Sequence, residues 1–545
     1  MRLSAKAKGI PSIVMILLVV AYFTVVLNLP FFNRVHTLYQ DARDNYSISF
    51  LLTLPVLIFL VLTVIFQFFM LPYLHKLLIP FFLITSAMVG YSEYAYNVFF
   101  TTNMFINVLE TNFAESWRMV TFSYLVWIAC FGVLPSIFYC LLKVNFDSFK
   151  REFVKRVIVI LICSLGLGGL GKFWYLDYAS FFRNNAKIHF MIVPYNIIGA
   201  SVGVLQRMHA SQIEYRSLGT DAEQKKLSDY KKVMVFVVGE TTRAQNWGLN
   251  GYERDTTPQL AKRGDVLNFS QVTSCGTSTA VSVPCMFAVY TRRNNDNGLA
   301  ENTDNVLDVL MHAGIGVSWI ENNSDCKGVC KNVPLVKELT NSTDTKLCVD
   351  GECRDEIMLP SFSEELEKAA LAPYDSVIVL HTIGNHGPTY YERYPQEFEK
   401  FTPTCKTNEI QKCTPEELVN TYDNGILYID NFLNEVIEKL DSYADRFDSA
   451  LYFVSDHGES LGEGGIFLHG TPYSIAPLEQ TRVPMIMWFS KGWKEHDRLD
   501  TRCILDKQEG VSHDNIFSTL LGMMQTATDK DFYDKGLDLT SGCYR

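Results

Sequence analysis

The sequence predicts a two-part fold: an α-helical membrane domain of five transmembrane helices, followed by an α/β globular domain. Three observations carry this expectation. Long apolar runs are confined to residues 1–176. From residue 233, short Val- and Ile-rich runs alternate with amphipathic stretches. Ten of the 13 cysteines lie beyond residue 270. A chain of 545 residues is too long for one core and suits two or three domains. Its mean hydropathy of +0.07 excludes a purely cytosolic enzyme. The confinement of the apolar runs excludes a many-helix transporter. A net charge of −11, with no basic stripe in the globular part, argues against nucleic acid, whose phosphates need Lys and Arg.

The membrane helices come first. Five runs, roughly 10–32, 48–71, 77–96, 122–142 and 157–176, meet the need for about 20 apolar residues. The first reads as a retained anchor. It is longer than a signal core, ends in Asn28-Leu29-Pro30-Phe31-Phe32 and lacks a small-residue cleavage site. Nine Lys/Arg lie on one side of the runs: Arg2, Lys6, Lys8, Lys76 and the group from Lys143 to Arg156. Only three, Arg34, Arg43 and Arg118, lie on the other. The positive-inside rule then places the N-terminus in the cytoplasm and everything after residue 176 outside it. Lys172 sits near the outer end of the fifth run, where it can snorkel.

The cysteines test this independently. Cys130, Cys140 and Cys163 lie in apolar runs and behave as small hydrophobes. The other ten form close-spaced couples, as disulfides do in an oxidising compartment. Proximity pairs Cys275–Cys285, Cys326–Cys330, Cys348–Cys353 and Cys405–Cys413, leaving Cys503–Cys543. A zinc ribbon is disfavoured because no C-x₂-C pair exists.

Residues 177–232 read as a connector with an interfacial helix, Phe181–Asn185 and Phe190–Leu205 being suited to a membrane surface. The globular domain, 233–545, begins after a polar stretch ending in Lys231-Lys232. Its clearest strands are Val233–Val238, Gly316–Ile320, Ser376–Leu380, Ala450–Val454 and Val483–Phe489, all of the kind that suits parallel strands buried on both faces. Asn305–Ala313 and Glu416–Leu440 read as amphipathic helices, so helices are expected on both faces of the sheet.

Chemistry gathers where strands end. Val233–Val238 runs into Gly239-Glu240-Thr241, Ser376–Leu380 into a loop bearing His381 and His386, and Ala450–Val454 into Ser455-Asp456-His457-Gly458-Glu459. In open α/β sheets the carboxyl edge is where sites form. Singly, each residue reads as a loop or capping residue. Together, Glu240, Asp456 and His457 give a mixed oxygen and nitrogen set suited to Zn²⁺ or Mn²⁺. Between Cys275 and Cys285 lies a hydroxyl cluster, Thr277, Ser278, Thr279 and Ser282, that reads either as a capping turn or as a nucleophile loop. The spacing does not choose among these four.

Six stretches make a more specific set: VVGETTRAQNWGLNGYERDTTPQL, SCGTSTAVSVPCMF, LHTIGNHGPTYYERY, KFTPTC, NTYDN and SDHGESLGEGGIFLHG. With the five apolar runs before them, they resemble the lipid A phosphoethanolamine transferases. These are relatives of the colistin-resistance enzymes within the alkaline phosphatase/sulfatase superfamily. The resemblance covers nearly the whole chain. It implies a sulfatase-like globular domain, a Zn²⁺ held by Glu240, Thr279, Asp456 and His457, and Thr279 as nucleophile. It gives His386 and His469 to the transferred phosphate or to a second Zn²⁺. The implied reaction moves phosphoethanolamine from phosphatidylethanolamine onto Thr279, releasing diacylglycerol, and then onto a lipid A phosphate. The implied setting is a bacterial inner membrane with a periplasmic catalytic domain, a monomer, and polymyxin resistance as the outcome.

The resemblance also assigns the donor lipid to Asn107, Thr111 and Glu115 and to Ser324 and Lys327. The first three are spaced i, i+4, i+8 and would share one face of a helix. By spacing alone that face reads as solvated. Three other readings are weaker. A phosphoglycerol transferase of the lipoteichoic-acid type, or a transferase to another envelope glycan, shares the architecture but fits the paired cysteines and CGTST less well. A sulfatase needs C/S-x-P-x-R, which neither Cys275 nor Cys285 begins. A silent lipid receptor would have lost a ligand or the threonine, and neither is lost.

Overall fold

The computed structural model describes residues 9–41, 47–111, 113–185, 188–210, 214–294, 297–339, 342, 344, 346–349, 352–528 and 532–545. They form two compact units. One comprises the described residues up to Phe105 together with Val120–Val204, the other Ile106–Met119 together with Leu205–Arg545.

In the first unit, four helices are long and apolar enough to cross a bilayer: Ile48–Phe69, His75–Tyr96, Phe122–Leu141 and Phe149–Tyr175. The first apolar run is instead a pair, Ser12–Leu27 and Leu29–Gln40, bent by 47°. The bend has a local cause. Pro30 has no N–H to continue the ladder, and Asn28 takes a non-helical conformation before it. The Asn28 side chain then makes up the lost bonds, donating to the carbonyls of Phe23 and Val193 at 2.9 Å each and accepting from Val193 N at 3.0 Å. The fifth run starts earlier than its apolar core suggests, because Ser148 stands at the N-terminus of a helix running Phe149–Asn184. Its first two turns are charged, and Glu152 there pairs with Arg156 at 3.2 Å.

The second unit is built on a seven-stranded sheet: β1 Lys232–Gly239, β2 Leu267–Thr273, β3 Gly316–Glu321, β4 Leu335–Glu338, β5 Ser376–His381, β6 Asp448–Ser455 and β7 Arg482–Phe489. The order is β2-β7-β6-β1-β5-β3-β4. Five strands were legible in the sequence; β2 and β4 were not, because both are edges. Burial along β2 alternates and β4 is mostly exposed, so neither shows a continuous apolar run. The expectation of parallel pairing fails at β7, which is antiparallel to both β6 and β2. β7 is apolar because it is interior, and interior burial does not report direction.

Helices cover both faces, as expected. On one face Met234, Phe236 and Val238 pack in a single core with Met286 of α1 (Thr279–Phe287) and with Val306 and Leu310 of α2 (Val306–His312). On the other, Val237 and Phe453 share a small cavity with Ile429, Phe432 and Leu433 of α3 (Pro415–Asp441). Each fully buried Val or Leu contributes about 1.5–3 kcal/mol, so this central layer holds the sheet edge rigid. The five disulfides are those expected from spacing.

Candidate active site

Register places the site. β1 pairs in parallel with β6 and β5, with Gly239 opposite Ser455 and Val238 opposite His381. The chains leaving these strands therefore emerge side by side at one edge. Glu240 leaves β1, Asp456 and His457 leave β6, and the loop to His386 leaves β5. The approach is close: a Cβ on Gly384 would lie 2.5 Å from the Glu240 carbonyl, and Gly384 has φ +49°, so only glycine fits there.

Glu240, Asp456 and His457 are fully buried, and each offers a ligand atom within 4.8 Å of the others. His457 Nε2 lies 3.3 Å from Glu240 Oε1 and 3.4 Å from Asp456 Oδ2. The His457 Nδ1 position is 2.9 Å from the Gly458 carbonyl, a bond that directs Nε2 at the acids. Asp456 Oδ1 accepts from Thr241 N at 3.2 Å and His457 N at 2.6 Å, while Oδ2 is buried with no hydrogen bond. Burial, and then the charge of Glu240, push the Asp456 carboxyl up to about 7. His457 is pushed up to about 10 by Asp456 and Glu240 although its burial works against this. The pocket thus calls for positive charge. A divalent cation meets the same demand and displaces the proton, so the donor set and the orphaned Oδ2 fit a metal.

Of the four candidate hydroxyls, one reaches this cluster. Thr279 Oγ1, at the start of α1, is 3.1 Å from Glu240 Oε2 and 3.4 Å from His457 Nε2. Thr277 donates to the Thr471 carbonyl at 2.7 Å, Ser282 to the Asp456 carbonyl at 2.5 Å, and Ser278 is the N-cap residue of α1. The His469 ring lies 4.4 Å from that of His457 and 5.6 Å from that of His386. His469 Nδ1 is 3.3 Å from the buried Glu459 Oε2. Burial holds His386 low, at about 4.

Lys327 Nζ donates to Ser324 Oγ at 3.1 Å inside the Cys326–Cys330 loop. The helix expected to carry Asn107, Thr111 and Glu115 is two helices, Thr102–Glu110 and Phe113–Arg118. Thr111 falls outside both, its hydroxyl bonded back to the Asn107 carbonyl at 2.5 Å. Such back-bonding competes with the helix ladder. Thr111 N still donates to the Asn107 carbonyl at 2.9 Å, so these two stay one turn apart, while Glu115 falls on the second helix and its side chain lies outside the described residues.

Three supporting residues escaped the sequence reading. Asn323 donates to Glu240 Oε2 and to the Thr382 carbonyl, both at 2.9 Å. Its place beside Ser324 was its only signal. Tyr422 donates to the Thr241 carbonyl at 2.6 Å, where Thr241 has φ +55°. That conformation costs about 1–3 kcal/mol for a non-glycine and is held by its surroundings. His513 accepts from Cys275 N at 3.0 Å through Nδ1 and bonds the Ser455 carbonyl at 2.9 Å through Nε2, joining the Thr279 loop to β6. Nothing near His513 in the chain marks it.

Residues 232–526 match the Sulfatase family, and residues 58–208 match the family described as Phosphoethanolamine transferase EptA/EptB. The chain is 39% identical to Phosphoethanolamine transferase EptA of Escherichia coli (strain K12), covering 97% of this chain and 96% of that one. The chain belongs to the phosphoethanolamine transferase family. It is 36% identical to Phosphatidylethanolamine transferase Mcr-1 of Escherichia coli, covering 96% of each. A solved structure, the integral membrane protein lipooligosaccharide phosphoethanolamine transferase A (EptA) from Neisseria meningitidis, superposes with a TM-score of 0.94 at 45% identity, covering 99% of this chain and 100% of that one. Membership fixes the architecture of this transferase: apolar helices, then a sulfatase-like α/β unit.

Proposed function

We propose that the protein transfers phosphoethanolamine from phosphatidylethanolamine to a phosphate of lipid A through a phosphothreonine at Thr279, and so lowers sensitivity to polymyxins. The catalytic unit works on the periplasmic side of a bacterial inner membrane. The observation that carries this reading is the placement of Thr279 Oγ1, 3.1 Å from Glu240 and 3.4 Å from His457. Glu240, Asp456, His457 and Thr279 would hold Zn²⁺, which supplies polarisation of the phosphodiester oxygen and a lowered pKa for the threonine hydroxyl.

The residues divide the remaining work. The Thr279 oxygen bonds phosphorus as the bond from phosphorus to the glycerol oxygen breaks, and one displacement becomes two. The threonine proton leaves toward the carboxylates. The glycerol oxygen takes a proton from His469, whose Nδ1 lies 3.3 Å from Glu459. His386, kept neutral by burial, suits the second step: it takes the proton that the lipid A phosphate gives up as its oxygen bonds phosphorus, the bond from phosphorus to the Thr279 oxygen breaks, and Thr279 regains its proton from the carboxylates. Glu115 and Lys327 grip opposite ends of the zwitterionic headgroup, with Asn107, Thr111 and Ser324 as hydrogen-bonding partners.

Mass spectrometry of the full chain incubated with phosphatidylethanolamine tests this. A phosphoethanolamine adduct is expected on Thr279, with diacylglycerol released and lipid A modified in cells. Thr279→Ala should lower transfer by on the order of 10⁴-fold or more with the fold intact. Near-normal transfer in that variant rejects the covalent step. Glu115→Ala should raise KM for phosphatidylethanolamine about tenfold at unchanged zinc content; unchanged kinetics remove Glu115 from the site.

A further inference from the structure

We propose that Arg118 is a positioning residue for the transfer reaction. It ties the segment Ile106–Met119 to the loop that carries His386. In the sequence Arg118 is merely one of three cations on the outer side of the apolar runs. In the structure it is 6% exposed and belongs to the same compact unit as the sheet. Its Nε lies 2.8 Å from Glu352 Oε2, and it also pairs with Glu392. Nη1 donates to Thr389 Oγ1 at 3.1 Å and Nη2 to the Val349 carbonyl at 2.5 Å. The same Glu352 oxygen is 2.6 Å from Arg393 Nη1, and Arg393 Nε donates to the His386 carbonyl at 2.6 Å. A continuous chain, Arg118–Glu352–Arg393–His386, thus runs from the segment to the site.

Both anchors of Arg118 are braced. Glu352 sits in a two-stranded hairpin closed by Cys348–Cys353. Asn408, which donates to the Arg118 carbonyl at 2.7 Å, lies within the Cys405–Cys413 loop. Burial would raise the Glu352 carboxyl, yet Arg393 and Arg118 hold it below its ordinary value. A buried ion pair seldom adds stability over a well-packed apolar pair, whereas the rigid guanidinium fork fixes direction. The chain therefore sets geometry: it orients the His386 backbone and seats the segment. That the segment also carries donor-lipid residues rests on the function proposed above.

The test uses the full chain in detergent, with two substrates: a fluorescent phosphatidylethanolamine and a water-soluble p-nitrophenyl phosphodiester without acyl chains. Arg118→Lys keeps the charge and loses the fork. It should lower kcat on both substrates about tenfold, and raise KM for the lipid alone, with zinc content and melting temperature unchanged. Asn408→Ala, which removes only the bond to the Arg118 carbonyl, should shift both in the same direction by about threefold. Unchanged kcat on both substrates in Arg118→Lys overturns the proposal, as does a loss of melting temperature with normal kcat in the folded fraction. Wild-type protein that turns over the soluble probe but not the lipid would sink the donor assignment; kcat on the probe would still decide the role of Arg118.

Discussion

Two buried carboxylate clusters in the sheet-containing unit follow opposite electrostatic rules. Around Glu352 every charge is answered: two guanidiniums converge on one carboxylate oxygen, and its carboxyl is held low despite burial. At the Glu240–Asp456 pair the answer is partial: Glu240 accepts from Asn323 and Thr279 and is held well below its ordinary value despite burial, chiefly by His457, while Asp456 is not. Two carboxylates share one imidazole, and burial and then the charge of Glu240 push Asp456 up to about 7. Desolvated charge is costly unless paired. The first cluster is charge-balanced as it stands and fixes geometry. The second is not, and its oxygen and nitrogen donors are of the kind that fits a metal.

This contrast can be broken at several points. Removing metal should have the largest effect. Chelation is expected to abolish transfer and to lower stability by about 4 kcal/mol at saturating zinc, the linkage for a ligand near 1,000 times its Kd. Asp456→Ala should lose zinc by elemental analysis and become insensitive to chelator in thermal melts. A variant that kept full zinc occupancy would refute the ligand assignment. Next comes Glu352→Gln. Taking one partner from a buried pair strands the others, and a loss of about 3 kcal/mol is expected in urea melts. The two clusters should differ in sign toward zinc: added zinc rescues neither folding nor activity of Glu352→Gln.

The smallest effect concerns pH. Burial holds His513 well down, from 6.5 to about 3. The unfolded chain therefore binds the extra proton between those values, so stability is full above 6.5 and falls as pH drops through the window. The slope cannot exceed about 1.4 kcal/mol per pH unit for one group. Thermal melts from pH 7 to pH 4 should show it, and His513→Gln should flatten the curve. An equal slope in both proteins would mean that other groups carry the acid limb.

What could be read in advance follows from where information sits in a chain. Glu240, Asp456 and His457 were legible because each follows a strand that is apolar throughout, and in-register parallel strands carry such followers to one edge. The five disulfides were legible because four pairs are close neighbours and the fifth was what remained. The choice of Thr279 over Thr277, Ser278 and Ser282 was not legible from spacing, since all four are hydroxyls within six residues; it came from resemblance, and the fold shows that Thr279 alone reaches Glu240 and His457. The expected single helix over Asn107, Thr111 and Glu115 is two helices: periodicity describes a face only while the helix continues, and the first ends at Glu110, with Thr111 still bonded back to Asn107, before Glu115 is reached.

By itself, then, the sequence determined the division into apolar helices and an α/β unit, the five interior strands, the disulfide pairs and the residue types that meet in the Glu240–Asp456–His457 cluster. Each is a property of composition or of neighbours along the chain. Tertiary structure alone decided the antiparallel course of β7 and the two edge strands, because direction and edge position are relations between segments. It alone decided the bend at Asn28, closed by Val193 from 165 residues away. It also decided the ties made by Asn323 to Glu240, His513 to Cys275 and Arg118 to Glu352, whose partners lie 83, 238 and 234 positions away. A polar side chain at such a position has no local pattern to betray it. Its role exists only once folding has removed water and left it to satisfy a distant charge or amide.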